Sequence, residues 1–221
     1  MSDNDCTGLK PWYGRCTVAL PEITDSRMKR QFPQLVSLGH NEAILYYIST
    51  NGPQWRILTL NGDHTVSETV LRAPRPLTIL GTYATLARVD NTVVVYAVTK
   101  QQDVRLSAVF LYRLEDREWE EFHTSGPSPP PRALCVLFTL GDSQVILAGG
   151  VDLVEGKLLE DAWIMDLDNQ SWRLLGQLPV PVNRVTSGPM PLFRSSLFMV
   201  KNVFRLSLEG ETLAVEGKEH C

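Results

Sequence analysis

Apolar residues in this chain fall in short, strand-length runs separated by turn residues, and no stretch sustains the i, i+3, i+4 spacing with a cap that a helix requires. The clearest set lies between Pro131 and Arg184. It comprises Ala133–Leu140, Gln144–Ala148, Ala162–Leu167 and, beyond the polar turn Asp168-Asn169-Gln170-Ser171, Trp172–Leu175. Upstream, the span from Arg30 to Leu71 predicts strands at Leu35–Leu38, Ala43–Ile48, Trp55–Leu60 and Thr65–Leu71, with turns at Gly39-His40-Asn41, Asn51-Gly52-Pro53 and Asn61-Gly62. Between Arg75 and Phe122 the pattern gives early strand material at Pro76–Leu80 and Ala84–Val89, then a β-branched strand at Thr92–Val98. A strand at Leu106–Leu114 and a turn at Glu115-Asp116-Arg117 follow, with Trp119 falling where Trp172 falls. The last set, Leu192–Arg194, Ser196–Val200, Val203–Leu208 and Thr212–Val215, is the shortest.

Two markers repeat through these sets. A leucine stands just before the outer turn at Leu60, Leu114, Leu167 and Leu208, and an arginine near the start of each set at Arg30, Arg75, Arg132 and Arg184, both recurring at about 50 residues. Along the third strands, Phe110/Tyr112/Leu114, Trp163/Met165/Leu167 and Phe204/Leu206/Leu208 alternate with less apolar positions, so one large apolar face per set is expected to stack on its neighbour. Trp55 falls one residue out of that alternation, which predicts a bulge or misalignment in the first set. In the clearest set Gly149-Gly150 closes the second strand, where the missing Cβ atoms permit close approach of neighbouring strands.

Arg132, Gly149-Gly150, Trp163, Trp172, Pro179 and Arg184, in this order and at this spacing, resemble one complete kelch repeat, a four-stranded blade of a β-propeller. The second set departs from the pattern, with Ala97-Val98 where the paired glycine belongs. The resemblance implies an all-β, kelch-like β-propeller of four blades, each of four antiparallel strands, closed by pairing of N- and C-terminal strands. It divides the chain into a flexible N-terminal arm at 1–11, a propeller domain at 12–217 and a tail at 218–221. The blades fall at about 30–71, 75–122, 131–176 and 184–217, with 12–27 as a candidate closing strand that includes Arg15–Leu20. A homodimer completing a larger ring is the alternative. An open array would leave apolar faces wet at roughly 25 cal/mol per Å². The low-complexity stretch Thr124–Pro131 reads as a crossing between blades, like Pro179–Val182 one set later, with a polyproline docking peptide for an SH3 or WW module as the competing reading.

The chain has 221 residues, 43% of them hydrophobic, and a formal net charge of −4, which gives no general argument for binding nucleic acid or an anionic membrane. Its one basic cluster, Arg27, Lys29 and Arg30, reads as a solvated turn. No apolar run is long enough to span a bilayer, and the polar, acidic N-terminus is unlike a signal peptide, so a cytoplasmic or nuclear location is expected. Cys6, Cys16, Cys135 and Cys221 lack metal spacing, and Cys135 sits in an apolar strand as a small core residue.

Chemistry is hard to assemble from these residues. His40, His64, His123 and His220 fall in turns or at the terminus, and no nucleophile elbow, P-loop or dinucleotide fingerprint is present. Copper oxidases of the galactose oxidase kind share the kelch fold. They need a tyrosine, histidine and cysteine constellation that Tyr46, Tyr47, Tyr83, Tyr96 and Tyr112, as strand residues, do not supply. The expectation is therefore a non-catalytic module without cofactor or metal, an adaptor or complex subunit that binds a partner protein through loops on a propeller face. The candidate binding loops join second and third strands, at Ser49–Gln54, Thr99–Arg105 and Val151–Asp161. They supply Lys100, Gln101, Gln102, Asp103, Arg105, Asp152, Glu155 and Lys157 as partner-binding candidates. The leading arginines Arg75, Arg132 and Arg184 join them, either lining a channel mouth or bridging blades. A small-molecule or glycan enzyme with its site at the channel mouth, and a nucleic-acid accessory subunit with a hidden basic face, are the competing readings.

Overall fold

The structure, a computed structural model, describes residues 31–39, 41–63, 65–101, 104–178, 203–209 and 212–218. The described chain is all-β apart from one turn of helix. The first sheet is β1 (Gln31–Gly39), β2 (Glu42–Ser49), β3 (Gly52–Leu60) and β4 (Val66–Val70). Helix α1 (Arg75–Thr78) leads to the second sheet: β5 (Tyr83–Val89), β6 (Thr92–Gln101), β7 (Val104–Arg113) and β8 (Glu118–Phe122). Beyond it come β9 (Arg132–Ala133), β10 (Val136–Leu140), β11 (Gln144–Ala148), β12 (Val151–Asp152), β13 (Asp161–Asp166) and β14 (Ser171–Gln177). The hairpin β15 (Val203–Glu209) and β16 (Thr212–Lys218) ends the described chain. Each four-stranded sheet is an antiparallel meander, ordered β1-β2-β3-β4, β5-β6-β7-β8 and β10-β11-β13-β14, while β9 pairs with β12.

The leucine marker has a structural meaning. The backbone N–H groups of Leu60, Leu114 and Leu167 donate to the carbonyls of Asn41, Asn91 and Ser143, at 2.8, 2.9 and 2.9 Å. One bond in each sheet thus ties the end of the third strand to the turn ahead of the second. Trp119 and Trp172 likewise hold one position, second in β8 and second in β14, opposite Tyr112 and Met165.

The three meanders stack, and their first strands lie side by side in the order β1, β5, β10. Ile44, Tyr46 and Trp55 of the first sheet pack against Leu86, Val93, Val95, Phe110 and Tyr112 of the second. The other face of the second sheet, with Val94, Tyr96, Val98, Val109 and Leu111, packs against Cys135, Leu137, Val145, Leu147, Met165 and Trp172 of the third. Buried on both faces, β6 is apolar without alternation from Val93 to Val98. Aromatic edges knit the seams: Trp119 meets the Trp55 ring at 5.4 Å and 81°, and Trp172 meets Tyr96 at 6.2 Å and 84°. Polar bridges cross as well. The Tyr46 hydroxyl donates to Thr82 O and accepts from Ala84 N–H, the Gln34 amide bonds Ala84 O and Leu86 N–H, and Thr139 donates to Arg88 O.

Several expectations need correction. The pairing of β2 with β3 runs without a bulge from Glu42↔Thr59 to Ser49↔Gly52. Trp55 instead faces the second sheet, because a one-residue offset on a period of two moves a side chain to the opposite face. Pro76–Leu80 is not strand material. Arg75–Thr78 is a helical turn with proline in its first positions, where the fixed φ suits a helix start. The run Ala133–Leu140 divides at Leu134, whose φ of 56° breaks the strand into β9 and β10. The arm at 1–11, the candidate closing strand at 12–27, the basic cluster, and the strands expected at Leu192–Arg194 and Ser196–Val200 lie outside the described residues.

Candidate functional site

One end of the stack collects the starts of β1, β5 and β10, helix α1, and the connections between second and third strands. The opposite end carries the turns at 61–63, 90–91, 114–117, 141–143 and 167–170. The two ends differ in chemistry. At the opposite end Asn61, Asp63, Asp90, Asn91, Glu115, Asp116, Arg117, Asp142, Asp168, Asn169 and Gln170 are exposed. Asp63 and Asp166 there hold their carboxyls below the usual range, through hydrogen bonds from Thr65 and from the Asn169 backbone respectively. The α1 end exposes apolar side chains. Leu80 is 71% exposed, Leu106 50%, Val154 80% and Leu158 45%. Leu80, in the connection from α1 to β5, lies beside Gly52 of the first sheet, Leu106 is on β7 of the second, and Val154 and Leu158 follow β12. Four of the seven exposed large apolar side chains among the described residues thus stand at this end, the other three, Leu35, Val70 and Leu174, lying along β1, β4 and β14.

The third-sheet contribution is a built arm. Asp152 N–H donates to Lys157 O at 2.8 Å, Gly156 N–H to Asp152 O at 2.8 Å, and Leu159 N–H to Gly150 O at 2.9 Å. The Asp152 carboxylate accepts the backbone N–H groups of Val154 and Glu155 at 2.6 and 3.1 Å, shaping the tip. Beneath it, Gly150 (φ 101°) lies so close to β9 that an added Cβ would stand 2.7 Å from Ala133 O and 2.9 Å from Cys135 Cβ. The expected close approach at the paired glycine is therefore present.

Arg132 fixes the base of that arm. Its side chain is 0% exposed, and its guanidinium donates to both Asp161 carboxylate oxygens at 2.5 and 2.9 Å, to Gly149 O at 3.1 Å and to Pro130 O at 3.1 Å. Trp163 Nε1 donates to the same carboxylate at 2.6 Å. Burial alone would raise the Asp161 carboxyl, but the hydrogen bonds from Arg132 and Trp163 outweigh it and hold the group below the usual carboxylate range. Arg132 thus bridges the crossing, the paired glycine and β13, with four of its five N–H donors engaged there.

The other candidates divide. Arg75 is exposed on α1, and α1 packs against β3 and β6. Lys100 and Gln101 end β6, and Arg105 stands on β7 directly across from Lys100. Within the expected loop Thr99–Arg105 the β6–β7 ladder continues to Gln101↔Val104, and Ser49–Gln54 is a tight hairpin with Ser49 paired to Gly52. Only the third connection is a long excursion. Asp152 shapes its tip, and Glu155 pairs with exposed Lys157 at 3.4 Å. Gln102, Asp103 and Arg184 lie outside the described residues. The reading missed Leu80, Leu106, Val154 and Leu158 because it followed charge; Val154 and Leu158 flanking Gly156 in an otherwise polar run were the available signal.

The proline-rich stretch is an anchored crossing. Pro129 is buried, and the Pro130 carbonyl accepts from Arg132 and from the Tyr96 hydroxyl at 3.4 Å, so the segment does not stand free as a docking peptide. Phe32, Tyr46, Tyr83, Leu134 and Cys135 are among the residues that line a small pocket where β1, β2, β5 and the β9–β10 break meet. Among the described residues no group of three or more His, Cys, Asp or Glu side chains is placed to hold a metal ion, and no helix is long and apolar enough to cross a membrane. No known family model matches the chain, and no curated protein matches it.

Proposed function

We propose that the stacked meanders are blades of a kelch-like β-propeller, closed by the terminal segments, and that the chain is a non-catalytic interaction module binding a partner protein at its α1 end. The observation that carries this reading is the gathering of Leu80, Leu106, Val154 and Leu158 at one end of a stack whose other end is polar and charged. Apolar groups on a rigid support bind a partner at little ordering cost, because the arm bearing Val154 is already shaped by its own hydrogen bonds. The side-by-side first strands β1, β5 and β10 suit strands lining a common axis, and the hairpin β15–β16 supplies strands for a further blade.

The test is affinity capture with the full chain, comparing wild type with Val154→Ser/Leu158→Ser and with a control variant at the polar end, Asp142→Ser. The expected result is a partner retained by wild type and the control and lost by the arm variant, with unchanged melting temperatures. Equal retention by all three, or no partner at all, contradicts the proposal.

A further inference from the structure

Asparagine is followed by glycine twice in the chain, each time at a hairpin turn: Asn51-Gly52 between β2 and β3, and Asn61-Gly62 between β3 and β4. Such a pair carries a reaction of its own, because a glycine without Cβ lets its backbone nitrogen approach the carbonyl carbon of the preceding asparagine side chain. The attack needs a nitrogen free of hydrogen bonding and a backbone loose enough to close a five-membered ring. The two turns differ on both counts. Leu60 N–H donates to Asn41 O, and the unbroken ladder from there places Gly52 and Ser49 in the same kind of hydrogen-bonded pair, which commits the Gly52 N–H. The Ser49 hydroxyl donates to Gly52 O at 3.0 Å and accepts Asn51 N–H at 3.1 Å. Gly52 is also buried, with Leu80 Cα 3.7 Å from the place a Cβ would take. By contrast Asn61 and Gly62 are both exposed, and a Cβ on Gly62 would meet nothing within 4 Å. Among the described residues the Gly62 N–H has no backbone acceptor. The Asn61 side chain is held by an exposed hydrogen bond, Nδ2 to Thr65 Oγ1 at 2.9 Å.

We propose that Asn61 is a deamidation site and that the fold protects Asn51. The Gly62 nitrogen gives up its proton to solvent and attacks Asn61 Cγ. The bond from Cγ to the side-chain nitrogen breaks, ammonia leaves, and a succinimide closes. Water, the only co-reactant, then opens the ring at one carbonyl or the other, giving aspartate or its isoaspartyl isomer. Either product adds one negative charge to a chain of net charge −4. It also costs the turn a hydrogen bond. The Thr65 hydroxyl already donates its proton to Asp63 at 2.6 Å, so it can accept from an amide but has no proton for a second carboxylate. The new carboxylate shares the turn with Asp63, whose own carboxyl the Thr65 hydrogen bonds hold below its usual range. The turn lies at the end of the stack opposite α1, so the proposal is separate from the interaction-module reading.

The experiment is incubation of the full chain at mildly alkaline pH, folded and in urea, followed by peptide mapping with mass spectrometry and chromatographic separation of the isoaspartyl form. The expected result is conversion at Asn61 several-fold faster than at Asn51 in the folded chain, with the two rates converging in urea, where the pairing that commits Gly52 is gone. Equal rates in the folded chain, or an Asn61 that converts in urea but not when folded, overturns the proposal. A ratio that persists in urea overturns it as well, since the difference would then belong to sequence and not to the fold. Two variants give independent readouts. Gly62→Ala places a Cβ in open space, and should slow conversion at Asn61 while leaving the melting temperature unchanged. Asn61→Asp should lower the melting temperature, and an unchanged value contradicts the lost hydrogen bond.

Discussion

Arg132 and Asp161, far apart in sequence, meet as a two-point ion pair with the guanidinium fully buried, joining the short β9 strand to the foot of the arm that presents Val154. The pair also captures Gly149 O and Pro130 O, so a single side chain ties together the proline crossing, the paired glycine and the start of β13.

Removing Arg132 leaves the largely buried Asp161 carboxylate without its charge partner, with Trp163 Nε1 as its remaining side-chain donor. Arg132→Ala is expected to cost about 3–5 kcal/mol, measured by urea unfolding followed by circular dichroism. A loss below about 1 kcal/mol, the level of an exposed pair, would show that the pair is solvated in solution.

The same pair sets an acid sensitivity. Asp161 has a carboxyl depressed in the folded state, so its contribution to stability is present above its unfolded value near pH 4 and is lost as pH falls through the lower folded value. The melting temperature of Asp161→Asn should therefore lie below wild type at neutral pH and approach it below about pH 4. A gap that stays constant across that window contradicts the assignment.

Gly150→Ala forces a Cβ against the Ala133 carbonyl at a φ of 101°, and both the contact and the backbone conformation oppose it. A loss of about 3 kcal/mol or more is expected from thermal unfolding. The exposed Gly156→Ala change has strain at φ 68° but open space around it, and should cost no more than about 1–2 kcal/mol.

Two touching indoles offer an internal comparison. Trp55 Nε1 donates to Leu77 O at 3.0 Å, whereas the buried Trp119 Nε1 has no partner among the described residues. Replacing each with phenylalanine removes similar volume but only Trp55→Phe breaks a hydrogen bond, so Trp119→Phe should be the milder change by about 1 kcal/mol in equilibrium unfolding. The reverse order would mean that Trp119 holds a partner in solution.

Local pattern made most strands legible. Gln144–Ala148 is β11 as read, and the recurring leucine marked one hydrogen bond shared by three sheets, because both depend on near-neighbour pairing. Where the reading failed, tertiary placement decided. Arg132 stayed open between a channel-mouth cation and a bridge because nothing local announces Asp161 as its partner, and Lys100 and Arg105 looked like loop residues because only the backbone ladder shows their positions paired. Trp55 predicted a bulge or misalignment, but the pairing is regular and the first sheet presents it on the face toward the second. The solvated leucines and valine were passed over for a different reason: in sequence an exposed apolar residue is indistinguishable from a buried one.

The most direct test of the account is hydrogen–deuterium exchange on the chain with and without its captured partner. The expected result is new protection at Ile79–Gly81, Leu106 and Val151–Leu159, with the turns at 61–65, 114–117 and 167–170 exchanging as before. Protection confined to those opposite-end turns, or none at the α1 end, would contradict it.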